Sequence, residues 1–453
     1  MQNKIDIKVK KIERYLDIFS IFKILYKNDK NISFLDSSLK NKYGKYSIIG
    51  INLYLELKEE NDKFYINNVE SKESFEIYLK NFLKENKVEN PYNLPIVSGG
   101  IGYFSYDYGR KFENIETRHM KDLDIPEAVI RFYRTFIVED LEKREIYISY
   151  QDEEDLKKIE ELLLTFKTEE DTLIIEKRNV LAEYEANFQK EDYLKAVDKM
   201  INYIIEGDIY ITNMTQRLKV RSQKEPIKVF EYLRKFNPSP FGAYLDYGNF
   251  QVVSASPERF IKMQDRLIET RPIKGTRKRG ENFEEDESLK LELLNSEKDK
   301  SELLMIVDLE RNDLHRICEL KSVKVTELFE VETYSTVFHL VSTIIGKLKE
   351  NYDFVDLIKA TFPGGSITGA PKIRAMEIID ELENSRRNLY TGCLGYISFN
   401  GDCDLNIVIR TAVHKNGEYY LGVGGGITCE SELEFEYEET LQKAKAILEA
   451  LKE

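Results

Sequence analysis

Five groupings in this 453-residue chain could carry chemistry. The densest is Arg271-Pro-Ile-Lys274-Gly275-Thr276-Arg277-Lys278-Arg279, with five cations in nine residues. It reads either as a solvated basic loop or as an anion site, where Gly275 admits close backbone approach and Thr276 offers a hydroxyl. A lysine crowded by arginines is expected to shed its proton more readily, and a neutral amine can attack carbon. The second grouping is Ser254-Ala-Ser-Pro-Glu258-Arg-Phe. Glu258 there is either a surface residue after a turn or a partly buried general acid.

The third runs from Asp299 through Glu302 to Asp313 and alternates acidic and apolar residues at helical spacing. Asp299 and Glu302 lie three apart and share a face. The fourth is near the C-terminus, where Glu436, Glu439 and Lys443 recur at i, i+3 and i+7 and project together. Either stretch suits an amphipathic helix with a polar face. Taken jointly, two carboxylates on one helix and one on another suit Mg²⁺, a hard cation that keeps waters and takes few protein oxygens. The fifth is the bare-amide run Gly422-Val-Gly424-Gly425-Gly426 just before that helix, a setting that binds carboxylates.

Several elements must position these groups. Residues 1–150 alternate β-rich stretches with charged turns, as in KYSIIGINLYLELKEEN and REIYISYQDEED, and read as antiparallel strands. Residues 151–190 are dense in Glu and Lys, with Leu156, Ile159, Leu162 and Leu163 at helical spacing, and read as a helical linker. Residues 191–453 form the second region. Its opening helix places Leu194, Val197, Met200, Ile201, Ile204 and Ile205 on one face and stops at Gly207. Strands are expected at 209–220, 242–256, 258–268, 392–399, 404–414 and 418–424. Asn416-Gly417 supplies a hairpin turn. Helices are expected at 284–312, 353–361, 371–383 and 432–451. The sum is an α+β fold with much antiparallel sheet.

Composition narrows the function. The chain is 42% hydrophobic and 33% charged with net charge −14, so it can bury a core, and it lacks the broad basic face of a nucleic-acid binder. No apolar run approaches the roughly 20 residues of a membrane helix. The charged start lacks the apolar centre of a secretory signal. Cys318, Cys393, Cys403 and Cys429 form no C-x-x-C pair, which favours a reduced, cytoplasmic setting. Four histidines without H-E-x-x-H argue against a zinc hydrolase. FPGGSITGAPK is not a phosphate loop, because Ala370 stands where the pattern needs lysine. GVGGGIT misses the dinucleotide fingerprint at Ile427.

Together these motifs resemble the chorismate-utilising enzymes: anthranilate synthase component I, aminodeoxychorismate synthase component I, and the isochorismate and salicylate synthases. SASPERF, PIKGTRKRG, MIVDLERNDL, VETYSTVFHLVS, FPGGSITGAPKIRAMEIIDELE, NLYTGCLGYIS, NIVIRT and GVGGGIT…EYEET stand in family order. FLDSS, KYSIIG and GGIGYFSYDYG resemble the N-terminal region of the two amine-forming synthases. The resemblance implies a large antiparallel β-sandwich core flanked by helices.

The resemblance also implies chemistry. Lys274 stands where anthranilate synthases usually carry alanine, and it marks the aminodeoxychorismate branch. The motifs around Asn213–Arg217 and Asn237–Tyr244 agree with that branch. Ile211 replaces the general-base lysine of the isochorismate enzymes and is given no role. On this reading Lys274 is a covalent nucleophile, Glu258 protonates the departing C4 hydroxyl of chorismate, and His339 orients or stabilises the leaving group. Glu302, Glu439 and Glu436 hold Mg²⁺. Gly275, Thr276, Tyr390, Arg410, Gly424, Gly425, Gly426 and Lys443 hold the substrate. Ammonia comes from a separate glutamine amidotransferase subunit, since no cysteine here has a suitable context. Leu35, Asp36 and Ser37 resemble the family's tryptophan-binding motif. The readings left beside this one are an anthranilate synthase with Lys274 a bystander, and a non-catalytic tryptophan- or chorismate-binding regulator.

Overall fold

The computed structural model describes residues 6–164, 176–177, 180–334 and 337–452. Part of the expected 151–190 linker lies outside them. Its described helix, Glu153–Leu164, buries Leu156, Ile159 and Leu163 as their spacing requires.

The fold is α+β, built on antiparallel sheet. Its pivot is the strand Ala128–Asp140, buried along nearly its whole length. One edge pairs with Tyr46–Glu60. The other edge is shared by Gly99–Phe104 and Glu145–Tyr150. Two arms leave this strand. The first runs through Tyr46–Glu60, Ser33–Asp36, Phe241–Asp246, Gln251–Ser256, Thr411–Lys415 and Glu418–Ile427 to Ile211–Arg221. The second runs through Gly99–Phe104, Cys393–Ser398, Cys403–Ile407, Arg259–Gln264 and Leu267–Thr270 to Val337–Lys347. That last strand also pairs with Ile273–Lys278 and Lys324–Thr333. Strands from residues 1–150 and from residues 191–453 are hydrogen-bonded to one another in both arms.

Ile101, Tyr103, Val129, Tyr133, Leu245, Val252, Leu394 and Val413 come from both arms and form one buried cluster. Helices Ile18–Asn28, Pro226–Phe236 and Leu433–Leu451 pack on the first arm, and Glu297–Ile317 and Phe354–Thr361 on the second. Each hides an apolar stripe that its 3.6-residue period creates.

The Asn416-Gly417 hairpin forms as expected, with both residues at positive φ and Lys415 paired to Glu418. Four expected single elements are divided. Residues 258–268 break at Asp265 and Arg266, both at positive φ, into Arg259–Gln264 and Leu267–Thr270. Residues 242–256 break at Gly248 (φ +83), whose amide donates to Asp246 Oδ1 at 2.8 Å. The helix expected at 284–312 becomes Phe283–Asn295 and Glu297–Ile317, because Ser296 leaves helical geometry and accepts the Asp299 amide as an N-cap. The 404–414 strand breaks before Thr411, with Arg410 at φ +52. Ile205 leaves the buried face assigned to its helix and is 69% exposed, one residue before the chain turns.

Candidate active site

A cavity of about 480 Å³ opens between the two arms, walled by the Glu297–Ile317 and Leu433–Leu451 helices. Glu258, Lys274, Gly275, Thr276, Glu302 and His339 line it. So do Tyr390, Arg410, Gly424, Gly426, Glu436, Glu439 and Lys443. Groups separated by up to 185 residues therefore converge on one space.

The Lys274 corner depends on a bulge. Lys274 pairs with Leu340 and Thr276 with His339, so Gly275 is the extra residue and takes φ +71. Any side chain at 275 would be strained, and its Cβ would meet Asp299 Oδ1 at 2.8 Å. Lys274 Nζ donates to Ser366 O at 3.4 Å, and Asn213 Nδ2 donates to the same carbonyl at 2.8 Å. The crowding by arginines expected from spacing is absent. Arg271 turns to Glu327 and Glu332, Arg277 to Glu292 and Asp299, and Arg279 to Asp286. Each guanidinium is paired with carboxylates of its own.

Glu258 is 7% exposed. Burial pushes its pKa up to about 6, against the hydrogen bond from Ser366 and the charge of Lys274. A carboxyl that holds its proton that long can act as an acid. His339 Nδ1 lies 2.9 Å from Thr276 Oγ1. Burial, then the Arg410 charge, lowers its pKa to about 4, so the ring is neutral near pH 7.

The carboxylate corner lies against Gly425. A Cβ there would meet Glu439 Oε2 at 2.7 Å and Glu436 Oε2 at 3.0 Å, so both carboxylates converge on a bare α-carbon. Burial raises the pKa of Glu436 and of Glu302, and the charge of Glu439 adds to both. Lys443 Nζ donates to Glu439 Oε2 at 2.9 Å and to Gly424 O at 2.8 Å, while burial lowers its own pKa. Among the described residues no three or more acidic, His or Cys side chains are grouped so as to hold a metal ion by themselves. The two carboxylates that converge on Gly425 are oxygen donors of the kind taken by a hard cation that keeps its waters.

Beside Lys443 stands Arg410, whose Nη1 donates to Lys443 O, and the ring of Tyr390 packs against the α-carbon of Gly422. Burial lowers the Arg410 pKa and raises that of Tyr390. The cavity thus offers an amine, a protonatable carboxyl, converging carboxylates, and cations able to hold a carboxylate.

Sequence reasoning missed Asn213, Ser366 and Lys298, which also line the cavity. Ser366 sits in the glycine-rich segment that fails the phosphate-loop pattern; the segment builds the site through a carbonyl instead. Leu35, Asp36 and Ser37 line a second cavity of about 70 Å³ together with Tyr43, Pro240 and Phe241. There Asp36 is paired with Arg234 at 3.1 Å, and Ser37 Oγ lies 2.8 Å from both Tyr46 O and Pro240 O. Ile211 is buried and pairs with Ala370. Among the described residues no helix is long and apolar enough to cross a membrane.

A family profile described as "chorismate binding enzyme" matches residues 34–449. Anthranilate synthase component 1 of Aquifex aeolicus is 37% identical, over 95% of this chain and 91% of that protein. Aminodeoxychorismate synthase component 1 of Bacillus subtilis is 37% identical, over 90% and 89%. The crystal structure of anthranilate synthase component I from Streptococcus pneumoniae aligns with TM-score 0.81 at 32% identity, over 90% of this chain and 93% of that one.

Proposed function

As this chain belongs to the chorismate binding enzymes, we propose that it aminates chorismate at C4 to give 4-amino-4-deoxychorismate, as an aminodeoxychorismate synthase component 1. The observation that carries this reading is Lys274, an amine inside the cavity that donates to the carbonyl of Ser366, the residue whose side chain hydrogen-bonds Glu258. The Lys274 nitrogen bonds to C2, the ring double bonds shift, and the C4 hydroxyl leaves as water with the Glu258 proton. Ammonia then bonds to C4, the double bonds shift back, and the C2–N bond to Lys274 breaks. The lysine nitrogen gives up a proton as it bonds to C2 and takes one back as it leaves, and the proton given up by the incoming nitrogen restores the one Glu258 spent. Dividing a difficult substitution into two displacements is what a covalent nucleophile achieves.

Glu302, Glu439 and Glu436 would hold Mg²⁺, which when bound draws electron density toward the substrate's ring carboxylate. Arg410 and Lys443 face that carboxylate, and Tyr390 bounds the ring. The neutral His339, fixed by Thr276, accepts or donates a hydrogen bond at the departing oxygen without adding a full charge. Ile211 puts a hydrocarbon where a base for water would stand, consistent with ammonia as the nucleophile. That ammonia comes from a separate glutamine amidotransferase subunit. Tryptophan would occupy the second cavity beside Leu35, Asp36 and Ser37.

A second reading is anthranilate synthase component I, in which ammonia adds directly at C2 and Lys274 is a bystander. The comparisons favour it: the Aquifex aeolicus relative, which aligns over more of this chain, and the solved structure at TM-score 0.81 are both anthranilate synthases. Lys274 favours the first. Purified protein incubated with chorismate, Mg²⁺ and excess ammonium at mildly alkaline pH separates them. A 4-amino product that a lyase converts to 4-aminobenzoate supports the lysine reading. Anthranilate overturns it, and no chorismate loss would leave a binding protein.

A further inference from the structure

Glu310 lies two turns beyond Glu302 on the Glu297–Ile317 helix, and the chemistry above makes no use of it. Its Oε2 is 2.8 Å from Thr270 Oγ1, and the same hydroxyl is 2.9 Å from Phe260 O. A threonine hydroxyl carries one hydrogen, and a backbone carbonyl only accepts. Both contacts are full two-centre hydrogen bonds only if the Glu310 carboxyl brings a proton of its own: it donates to Thr270, and Thr270 donates to Phe260 O.

The surroundings agree. Lys372, the nearby cation, is held by Asp313 Oδ2 at 2.5 Å and Thr361 O at 2.8 Å. The remaining charges facing Glu310 are Asp313 on its own helix and Glu258 across the strands, both of which favour its protonated form. Burial is the largest cause, and together these push its pKa up to about 8. Above it runs the segment holding Glu258 and Lys274: a Cβ on Gly365 would lie 3.5 Å from Glu310 Cγ, and Ser366 is the next residue. A charge on Glu310 would be felt by Glu258, whose own charge already favours the proton on Glu310.

We propose that Glu310 is a positioning residue, a neutral carboxylic acid that ties the helix to Thr270 and keeps a second negative charge away from Glu258. The inference rests on Glu258 as proton donor, but its main test does not need turnover. Infrared difference spectra of the wild type against Glu310→Gln at pH 7 should contain the C=O stretch of a neutral carboxylic acid, shifted in D₂O. The band should fade as pH rises through about 8. Carboxylate bands in its place at pH 7 would overturn the proposal. Chorismate turnover with ammonium supplies the second arm. Glutamine still donates to Thr270 and should keep kcat within about threefold, whereas Glu310→Leu leaves the hydroxyl without that donor and should lose about tenfold in kcat at unchanged KM. Equal losses in both variants would mean packing alone and would also overturn it. Should Glu310→Leu fail to fold, the infrared comparison decides. A neutral carboxyl without chorismate turnover would count against the amination reading and not against this one.

Discussion

Lys274 Nζ lies where a side chain on Gly426 would begin: a methyl group there would stand 2.9 Å from the nitrogen. The amine of one strand thus occupies room left by a glycine on another, 152 positions later in the chain. If the amine attacks substrate, removing it should change the product. Lys274→Ala should form no covalent chorismate adduct by intact-protein mass, retain Mg²⁺ binding, and shift residual amination toward C2. Unchanged aminodeoxychorismate production at the parent rate would rule out the covalent role.

Gly425 bears the same relation to the carboxylates. Gly425→Ala puts a methyl group within 3.0 Å of both Glu436 and Glu439. The Mg²⁺ concentration for half-maximal turnover should rise by about tenfold or more, as second-site disruption of a metal's ligands commonly does. Glu302→Ala should act in the same direction. A metal requirement left unchanged in both variants would remove these carboxylates from the ligand set.

Glu258 links catalysis to stability. Its carboxyl holds the proton to about pH 6 in the fold, above its ordinary 4.5. The folded state therefore binds this proton more tightly than the unfolded one, so stability falls as pH rises from 4.5 to 6 and the penalty is complete above that. At about 1.4 kcal/mol per pKa unit the penalty is about 2 kcal/mol. Glu258→Gln, always neutral, should be more stable than wild type at pH 7 by up to that amount and no more stable near pH 4. It should also lose turnover by about a hundredfold and with it the fall of kcat/KM above pH 6. Chemical denaturation at the two pH values and a pH–rate profile check both halves. A variant that keeps the alkaline fall would exclude Glu258 as its source.

The second cavity gives an independent test. Isothermal titration with tryptophan should show one site per chain, abolished by Asp36→Asn or Ser37→Ala, since both side chains line that space. Binding retained in both variants would locate tryptophan elsewhere.

Local periodicity was readable from the chain alone. Glu436, Glu439 and Lys443 had to share a helix face, Asn416-Gly417 had to turn a hairpin, and the apolar stripe of Glu153–Leu164 had to be buried. The motif order picked out Glu258, Lys274 and Glu302, and the fold brings all three to one cavity; spacing within an element is fixed by the helix or strand that forms. What each group faces is decided between elements far apart in sequence. Arg271, Arg277 and Arg279 looked as though they would crowd Lys274, yet tertiary packing gives each a carboxylate from another segment. The bulge at Gly275 depends on the partner strand Val337–Lys347. The stretch that carries Glu310 reads as an amphipathic helix with a polar face; only the docking of that helix against Thr270 partly withdraws Glu310 from water. Charge state follows from desolvation and partners, and both come into being only when the two arms and their helices pack together.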